Sequence, residues 1–291
     1  MPGGKNEFRA RRRPFVIAAA WLLKVGAAYA LAAPFLRAVQ ATGVAERPGA
    51  DSELFVPGGL LLVETLRLAR PDLVLALTTA ALVAPFALLV AELGLAALMT
   101  AIATPGRLVP ERWASRTLVA LPRFIGLGVA FSLAQGGLAF ACIGPTAGLF
   151  AALDGVQGGA YADAAFLFGI LVGSVSISAV GLIEDLARAL VVVEQGSAMR
   201  SIGLAIAVFR KAPLRLAAQW LARSALVLPA ILLAALAVDA VDVSRTGAWR
   251  WLVALAIHQT VLLLATALRA SWLARALGAV SSYDRAAPAS R

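Results

Sequence analysis

Long apolar stretches separated by short polar segments dominate the chain. Six of them reach about 20 residues or more, the length that an α-helix needs to cross a hydrocarbon core of roughly 30 Å. They are continuously apolar rather than alternating, so long helices are predicted and strands are not. The predicted spans cover residues 14–36, 73–103, 118–142, 164–193, 214–238 and 249–268. The pattern predicts an all-α polytopic membrane helix bundle that forms a single integral membrane domain over residues 1–291.

Two shorter segments have the spacing of amphipathic helices, and each precedes a proline. In residues 59–70 one face is apolar and consists of Leu62, Val63, Leu66 and Ala69. In residues 196–212 the corresponding apolar stripe consists of Met199, Ile202, Ile206 and Phe209. Pro71 and Pro213 are expected to end these helices before the spans that follow. Both helices are predicted to lie in the membrane interface.

The two amphipathic segments resemble each other in order: short helix, basic residues, proline, span. The spans that follow them would cross the membrane in opposite directions, which fits an inverted three-plus-three repeat. Chance similarity between two stretches rich in Leu and Ala explains the match equally well, and both explanations stay open. Residues 144–163, between the third and fourth spans, are rich in Gly and Ala and are predicted to form an irregular outer loop.

Composition supports the membrane assignment. Hydrophobic residues make up 61% of the 291 residues and charged residues 14%, whereas a soluble domain is about half apolar and about a quarter charged. The net charge is +10. About three times as many Lys and Arg residues lie in one set of alternate loops as in the other, which places that set in the cytoplasm. The chain is therefore predicted to be a multi-pass protein with both termini cytoplasmic.

The distribution of basic residues also bears on partners. Because orientation accounts for the positive charge, anionic lipid at the cytoplasmic face is the expected counter-surface and no nucleic acid is expected. A preference for Arg over Lys and an abundance of Ala suggest a GC-rich bacterial genome, so the expected location is the bacterial cytoplasmic (inner) membrane. The lipid bilayer is the first expected partner, and a second membrane protein is another.

Enzymatic motifs are missing from the sequence. A single cysteine, Cys142, excludes an intramolecular disulfide, and with the single histidine, His258, it excludes a His/Cys zinc cluster. The chain contains no HExxH metalloprotease motif, no GxSxG nucleophile elbow and no GxxxxGK[ST] phosphate loop. A non-enzymatic protein without cofactor, metal or catalytic residue is therefore expected.

Polar side chains inside the spans are the remaining candidates for function, because a charge in the hydrocarbon core needs a partner or a water-filled cavity. The candidate cluster comprises Lys24, Glu92, Glu184, Asp185, Arg188, Arg223, His258 and Gln259. Lys24 and Glu92 lie at similar depth, and an ion pair between their helices is predicted.

A second group of candidates lies in the fourth and fifth spans. Arg223 is predicted to pair with Glu184 or Asp185, and Arg188 with Glu184 at i,i+4. Such groups either order the bundle or line a proton, ion or polar-substrate path. His258, beside Gln259 at mid-depth, either titrates near neutral pH or forms a structural hydrogen bond between helices, and the structural role is favoured.

Small residues mark a packing face on the fourth span. Gly169, Gly173 and Gly181 recur on one side of the helix, at the spacing that lets two helix backbones approach closely. Packing within the chain is expected, in preference to homodimerisation.

A family resemblance is carried by residues 182–194, LIEDLARALVVVE, and by residues 201–213, which end in Phe-Arg-Lys-Ala-Pro. With residues 55–71 and the early Trp21-Leu22-Leu23, this pattern resembles uncharacterised six-helix bacterial inner-membrane proteins. Those proteins are similar to the membrane domain of glycerophosphoryl diester phosphodiesterases. The resemblance implies a six-helix fold, and phosphodiesterase activity is not implied because the sequence contains no counterpart of the catalytic domain.

Two functions are consistent with these features. The first is a non-enzymatic integral membrane protein that acts as a scaffold, envelope component or subunit of a membrane complex. The alternative is a secondary transporter or channel-like protein that uses the intramembrane charges. A cavity that reaches Glu184 would favour transport, whereas a tightly packed centre would favour a scaffold.

Overall fold

The computed structural model of the chain describes residues 10, 13–43, 60–154, 159–241 and 248–286. Within these residues the chain forms eight α-helices, which confirms the all-α prediction. They are α1 (Pro14–Gln40), α2 (Leu60–Ala103), α3 (Pro110–Asp154), α4 (Gly159–Glu194), α5 (Ala198–Lys211), α6 (Pro213–Ala225), α7 (Val227–Val241) and α8 (Ala248–Ala286).

Six helical segments are long and apolar enough to cross a membrane, as predicted. They are Pro14–Gln40, Arg67–Ala103, Pro110–Thr146, Leu167–Glu194, Pro213–Val241 and Trp249–Tyr283. Each overlaps one predicted span and extends beyond it at one or both ends. A hydrocarbon core needs only about 20 helical residues, so the longest segments, of 37 residues, exceed what crossing requires.

Pro71 does not end a helix, and this prediction was wrong. The structure has one continuous helix, α2, that begins at Leu60 and contains both Pro71 and Pro85. A proline removes one backbone hydrogen bond and disturbs the preceding turn, but the residues on either side of Pro71 continue the helical hydrogen bonding. The predicted separate helix over residues 59–70 is therefore the first part of α2, with residue 59 outside the described residues.

The predicted helix over residues 196–212 is confirmed as α5. Ser197 caps its start, with the side-chain oxygen accepting a hydrogen bond from the Arg200 backbone N–H at 3.4 Å. The residues of α5 that are buried against the protein are Ser201, Ala205 and Val208, whereas Ile202, Ile206 and Phe209 of the predicted apolar stripe are half-buried. Met199 from that stripe is 78% exposed.

The fifth predicted span is interrupted. Helix α6 ends at Ala225 and α7 begins at Val227, where a single helix was predicted over residues 214–238. Pro229 supplies the cause, because its ring conflicts with the carbonyl four residues earlier, that of Ala225, and it lacks the N–H that would bond to it. The two segments that form the predicted repeat also differ from each other. Pro71 lies inside a helix, whereas Pro213 begins one.

The predicted loop over residues 144–163 is mostly helical, so this prediction was wrong as well. Helix α3 continues to Asp154 and α4 begins at Gly159, with residues 155–158 outside the described part. A glycine lowers helix stability by only about 1 kcal/mol relative to alanine. A cost of that size does not by itself end a helix.

The chain divides into two compact units. The first comprises Met99–Ala222 and the segment that begins at Ser271; the second comprises Arg13–Leu98 and Arg223–Ala270. The core of the first unit contains large side chains that are at most 2% exposed: Met99, Phe124, Leu127, Leu186, Leu190, Trp272, Leu273, Leu277 and Val280. The prediction of a single membrane domain stays a prediction.

The second unit has a core of small residues. Its buried positions are mostly alanines, namely Ala20, Ala27, Ala38, Ala69, Ala76, Ala87, Ala96, Ala234, Ala254 and Ala270. Large side chains such as Leu75, Leu82, Phe86 and Leu232 are more than half exposed. Small residues let helices approach closely in a bilayer, where lipid solvates the large apolar side chains. This distribution is the reverse of that in a water-soluble domain.

Close packing of α3 against α4 confirms the predicted glycine face. A Cβ at Gly173 would lie 3.2 Å from Cβ of Cys142, and one at Gly181 would lie 3.7 Å from Nε2 of Gln135. At Gly169 an added Cβ would overlap the side chain of Thr146. The glycines therefore serve packing within the chain.

Candidate functional site: a buried ionic cluster

An ionic cluster lies in the first compact unit near the end of α4. Asp185 and Arg188 are each 3% exposed, and the adjacent Leu186 is fully buried. The predicted i,i+4 pair is confirmed: Nη2 of Arg188 lies 2.7 Å from Oε1 of Glu184. The other terminal nitrogen, Nη1, lies 3.9 Å from Oδ1 of Asp185. One guanidinium therefore serves two carboxylates on consecutive residues of the same helix.

Side chains from two other helices complete the cluster. From α3, the amide of Gln135 donates a hydrogen bond from Nε2 to Oε2 of Glu184 at 3.2 Å. From α8, the indole N–H of Trp272 donates to Oδ2 of Asp185 at 2.9 Å. The guanidinium carbon of Arg188 lies 6.0 Å from the ring centroid of Phe124 in α3, at the limit of a cation–π contact.

These contacts connect each carboxylate to Arg188 within α4 and to a hydrogen-bond donor on another helix. Buried ions lose several kcal/mol of hydration each and are retained only where partners compensate. Hydrogen bonds to a charged group contribute about 1.5–3 kcal/mol, so Gln135 and Trp272 hold their helices against α4 at defined heights. The arrangement suits a structural tie among α3, α4 and α8.

The surroundings of the cluster are tightly packed. Leu182, Leu186, Ala187, Ala189 and Leu190 are all at most 2% exposed. A cavity of about 470 Å³ lies near the end of α4, but Glu184, Asp185 and Arg188 do not line it.

Lys24 and Glu92 lie in the second unit on α1 and α2. Glu92 is 5% exposed and Lys24 is half-buried. The two helices pack closely at this height, since a Cβ at Gly94 would lie 3.3 Å from Cδ1 of Leu23 and 3.8 Å from Cα of Ala20. This packing is compatible with the predicted ion pair, which stays a prediction.

Arg223, His258 and Gln259 also belong to the second unit. Arg223 is half-buried three residues before the interruption at Leu226, and its pairing with Glu184 or Asp185 stays a prediction. His258 is exposed, while Oε1 of Gln259 is buried and accepts no hydrogen bond from the described residues. The exposure of His258 does not fit the favoured structural hydrogen bond between helices.

Gln135 and Trp272 are the cluster residues that the sequence did not single out. The signal for Trp272 was present, because Trp272, Leu273, Ala276, Leu277 and Val280 have the spacing of a buried helical face. The predicted sixth span ends at residue 268 and does not include this face, whereas α8 continues to Ala286. Gln135 carried no comparable signal, since it stands among Gly, Ala and Leu in a continuous apolar stretch.

The described residues contain no group of three or more His, Cys, Asp or Glu side chains that could hold a metal ion. No family model matches the chain, and no curated protein or solved structure matches it either. The geometry of the buried cluster is therefore the basis for a functional proposal.

Proposed function

We propose that the chain is a non-enzymatic, multi-pass protein of a bacterial inner membrane that acts as a scaffold or as a subunit of a membrane complex. The observation that carries this proposal is the ionic cluster on α4. Its carboxylates are bonded to Arg188, Gln135 and Trp272 within a packed core. Groups engaged in this way define the arrangement of the helices and leave little freedom for the movement of a substrate.

In the proposed topology both termini are cytoplasmic. The positive-inside distribution of Lys and Arg supports this orientation. It places the end of α2, the start of α3 and the ends of α4 and α8 on the cytoplasmic side, with α5 in the interface. The contact faces of α5 fit that position, because Ser201, Ala205 and Val208 face the protein and Met199 is exposed. Nζ of Lys211 lies 4.2 Å from the ring centroid of Tyr283 and links the end of α5 to α8.

The resemblance of residues 182–194 and 201–213 to six-helix inner-membrane proteins supports the same proposal. The Glu-Asp-x-x-Arg arrangement within that region is the part of the chain that forms the cluster. We therefore propose that the resemblance reflects a shared packing device rather than a shared reaction. No phosphodiesterase activity is proposed.

Cysteine accessibility tests the orientation. In a Cys142→Ala background, Glu111→Cys is expected to react with a membrane-impermeant maleimide only in inside-out vesicles. Gly43→Cys, after α1, is expected to react in intact spheroplasts. Glu111 and Gly43 are both exposed, so labelling reports sidedness rather than burial. Labelling of Glu111→Cys and Gly43→Cys from the same side would contradict the topology.

A secondary transporter or channel is the second candidate, and the interrupted fifth span favours it. Discontinuous helices in the bilayer commonly form the binding sites of transporters, and the half-buried Arg223 lies beside the interruption. The break lies where Pro229 removes a backbone hydrogen bond, which requires no binding site, so this observation is weaker than the packed cluster.

Flux measurements separate the two candidates. Proteoliposomes under an imposed potential, with an internal pH-sensitive dye, are expected to show no proton flux above protein-free vesicles. Asp185→Asn and Arg223→Ala are expected to change only the yield of folded protein. Co-purification in mild detergent should give a stoichiometric partner and a protein mass above the 30.0 kDa of one chain. A flux that both substitutions abolish at unchanged folded yield would replace the scaffold with a transporter.

A further inference from the structure

The cavity of about 470 Å³ in the first unit has a distinct chemical character. It is bounded by the end of α2, the first part of α3 and the end of α4. Arg116 and Arg123 line it together with the polar side chains of Thr100, Ser115 and Gln195. Its volume lies within the range of about 300–1,000 Å³ that is usual for sites of small ligands.

The two arginines lie on the same side of α3. They stand at i and i+7, which is about 10.5 Å along the helix axis. Arg123 is half-buried and Arg116 exposed, so one guanidinium lies deeper than the other. Neither arginine has an ion pair or hydrogen bond to the described residues, and the described lining of the cavity contains no Asp or Glu. The cavity therefore presents positive charge that no protein carboxylate balances there.

The remaining wall is apolar. Val119, Val191, Val192 and Val193 line the cavity beside the arginines. A hydrogen bond of 2.9 Å between the hydroxyl oxygens of Thr100 and Thr117 joins α2 to α3 at its edge. A site with cationic donors beside a hydrocarbon wall fits a ligand that has an anionic oxygen group attached to an apolar part.

We propose that this cavity binds the phosphate group of an anionic phospholipid. Arginine is suited to phosphate because its planar guanidinium donates two parallel hydrogen bonds. Ser115 adds a hydroxyl donor, and the valines contact the first carbons of the lipid. Only the source of the phosphate rests on the proposed cytoplasmic placement; recognition of the phosphate itself does not.

Another role for the arginines is physically reasonable. Val191–Val193 are in the last turn of α4, and the carbonyl end of a helix carries partial negative charge that attracts cations. If this were the whole role of Arg116 and Arg123, the protein would be stabilised by them without binding any phosphate. The two roles differ in what a titration with lipid shows.

Native mass spectrometry of the purified full chain in detergent tests the proposal. Titration with phosphatidylglycerol is expected to give one tight site, and the double variant Arg116→Gln/Arg123→Gln should bind about 10- to 100-fold more weakly, as expected for two charge-assisted contacts. The control Arg107→Gln/Arg112→Gln removes the same charge from exposed positions that do not line the cavity. It is expected to change affinity less than about twofold.

Further measurements identify the source of the phosphate and check that the variants are folded. Ala103→Leu should weaken binding by narrowing the cavity without any change of charge, and size-exclusion profiles should show all variants folded. If millimolar inorganic phosphate displaced the lipid, the cavity would still be a phosphate site, but its ligand would be a soluble phosphate compound. Equal binding by wild type and the Arg116/Arg123 variant, or no saturable binding of either probe, would overturn the proposal. A reversed labelling pattern would overturn the topology and leave the phosphate titration unaffected.

Discussion

Replacement of Arg188 by methionine is expected to lower the free energy of unfolding by about 3–5 kcal/mol, because it leaves buried carboxylates without their cation. Glu184 and Asp185 would keep Gln135 and Trp272 as donors, but the positive charge of Arg188 between them would be gone. The change should be seen as a lower unfolding midpoint in detergent, followed by intrinsic tryptophan fluorescence, and as a reduced yield of monodisperse protein.

Two companions make the Arg188 result interpretable. Arg200→Met removes an exposed arginine from α5 and is expected to shift stability by less than about 0.5 kcal/mol. The triple variant Glu184→Gln/Asp185→Asn/Arg188→Met removes all three charges together and should regain most of the loss, since neutral replacement of a buried ionic group is often tolerated. Equal stabilities for Arg188→Met and Arg200→Met would show that the cluster does not hold the core.

Gly169→Leu is expected to have the second large effect. A Cβ at this position would already overlap Thr146, so a leucine must push α3 away from α4. Overpacking of this kind destabilises by about 1–3 kcal/mol, and sometimes by more. The displacement would also strain the Gln135–Glu184 hydrogen bond farther along the same helix pair. Thermal unfolding in detergent and folded yield measure the loss.

Gly137→Leu is the matched control for Gly169→Leu. It lies on α3, and nothing stands within 4 Å of a Cβ added there. Because leucine favours the helix over glycine by roughly 0.5–1 kcal/mol, this variant is expected to be neutral or slightly more stable. Thr146→Ala combined with Gly169→Leu should recover part of the loss. If Gly169→Leu unfolded at the wild-type midpoint, the close approach of α3 and α4 would be refuted.

The spans were predictable because hydrocarbon thickness sets a minimum length of apolar helix, and length and composition are properties of the sequence itself. The helix ends were not, because nothing in composition distinguishes a helix that stops at the membrane from one that continues. Residues 144–163 illustrate this: glycines suggested a loop, but Leu149, Phe150 and their alanine neighbours continue α3 to Asp154. A local preference of about 1 kcal/mol cannot decide such a case.

Three prolines show that the effect of a proline on a helix depends on the residues around it. Pro71 lies inside α2, Pro213 begins α6, and Pro229 follows the interruption at Leu226. All three lack a backbone N–H, and the sequence shows the same residue each time. What differs is the rest of the chain around each proline, which a local rule does not take into account.

Only the part of the candidate site that lies within a single helix was predictable from the sequence. Glu184 and Arg188 stand one turn apart, so helix geometry alone brings them together. The bonds from Gln135 and Trp272 join residues far apart in the sequence and depend on how α3, α4 and α8 pack. A single sequence does not show which residues far apart in the chain contact each other.

In the second unit, the residues that hold the helices together are different from the large apolar residues on the outside. Its helices hold together through small side chains, while Leu75, Leu82, Phe86 and Leu232 point away from the core. Those outward residues can be replaced by other apolar residues during evolution, because no neighbouring side chain of the core restricts their shape. The alanines have no such latitude, so homologous sequences should diverge fastest at their most hydrophobic positions.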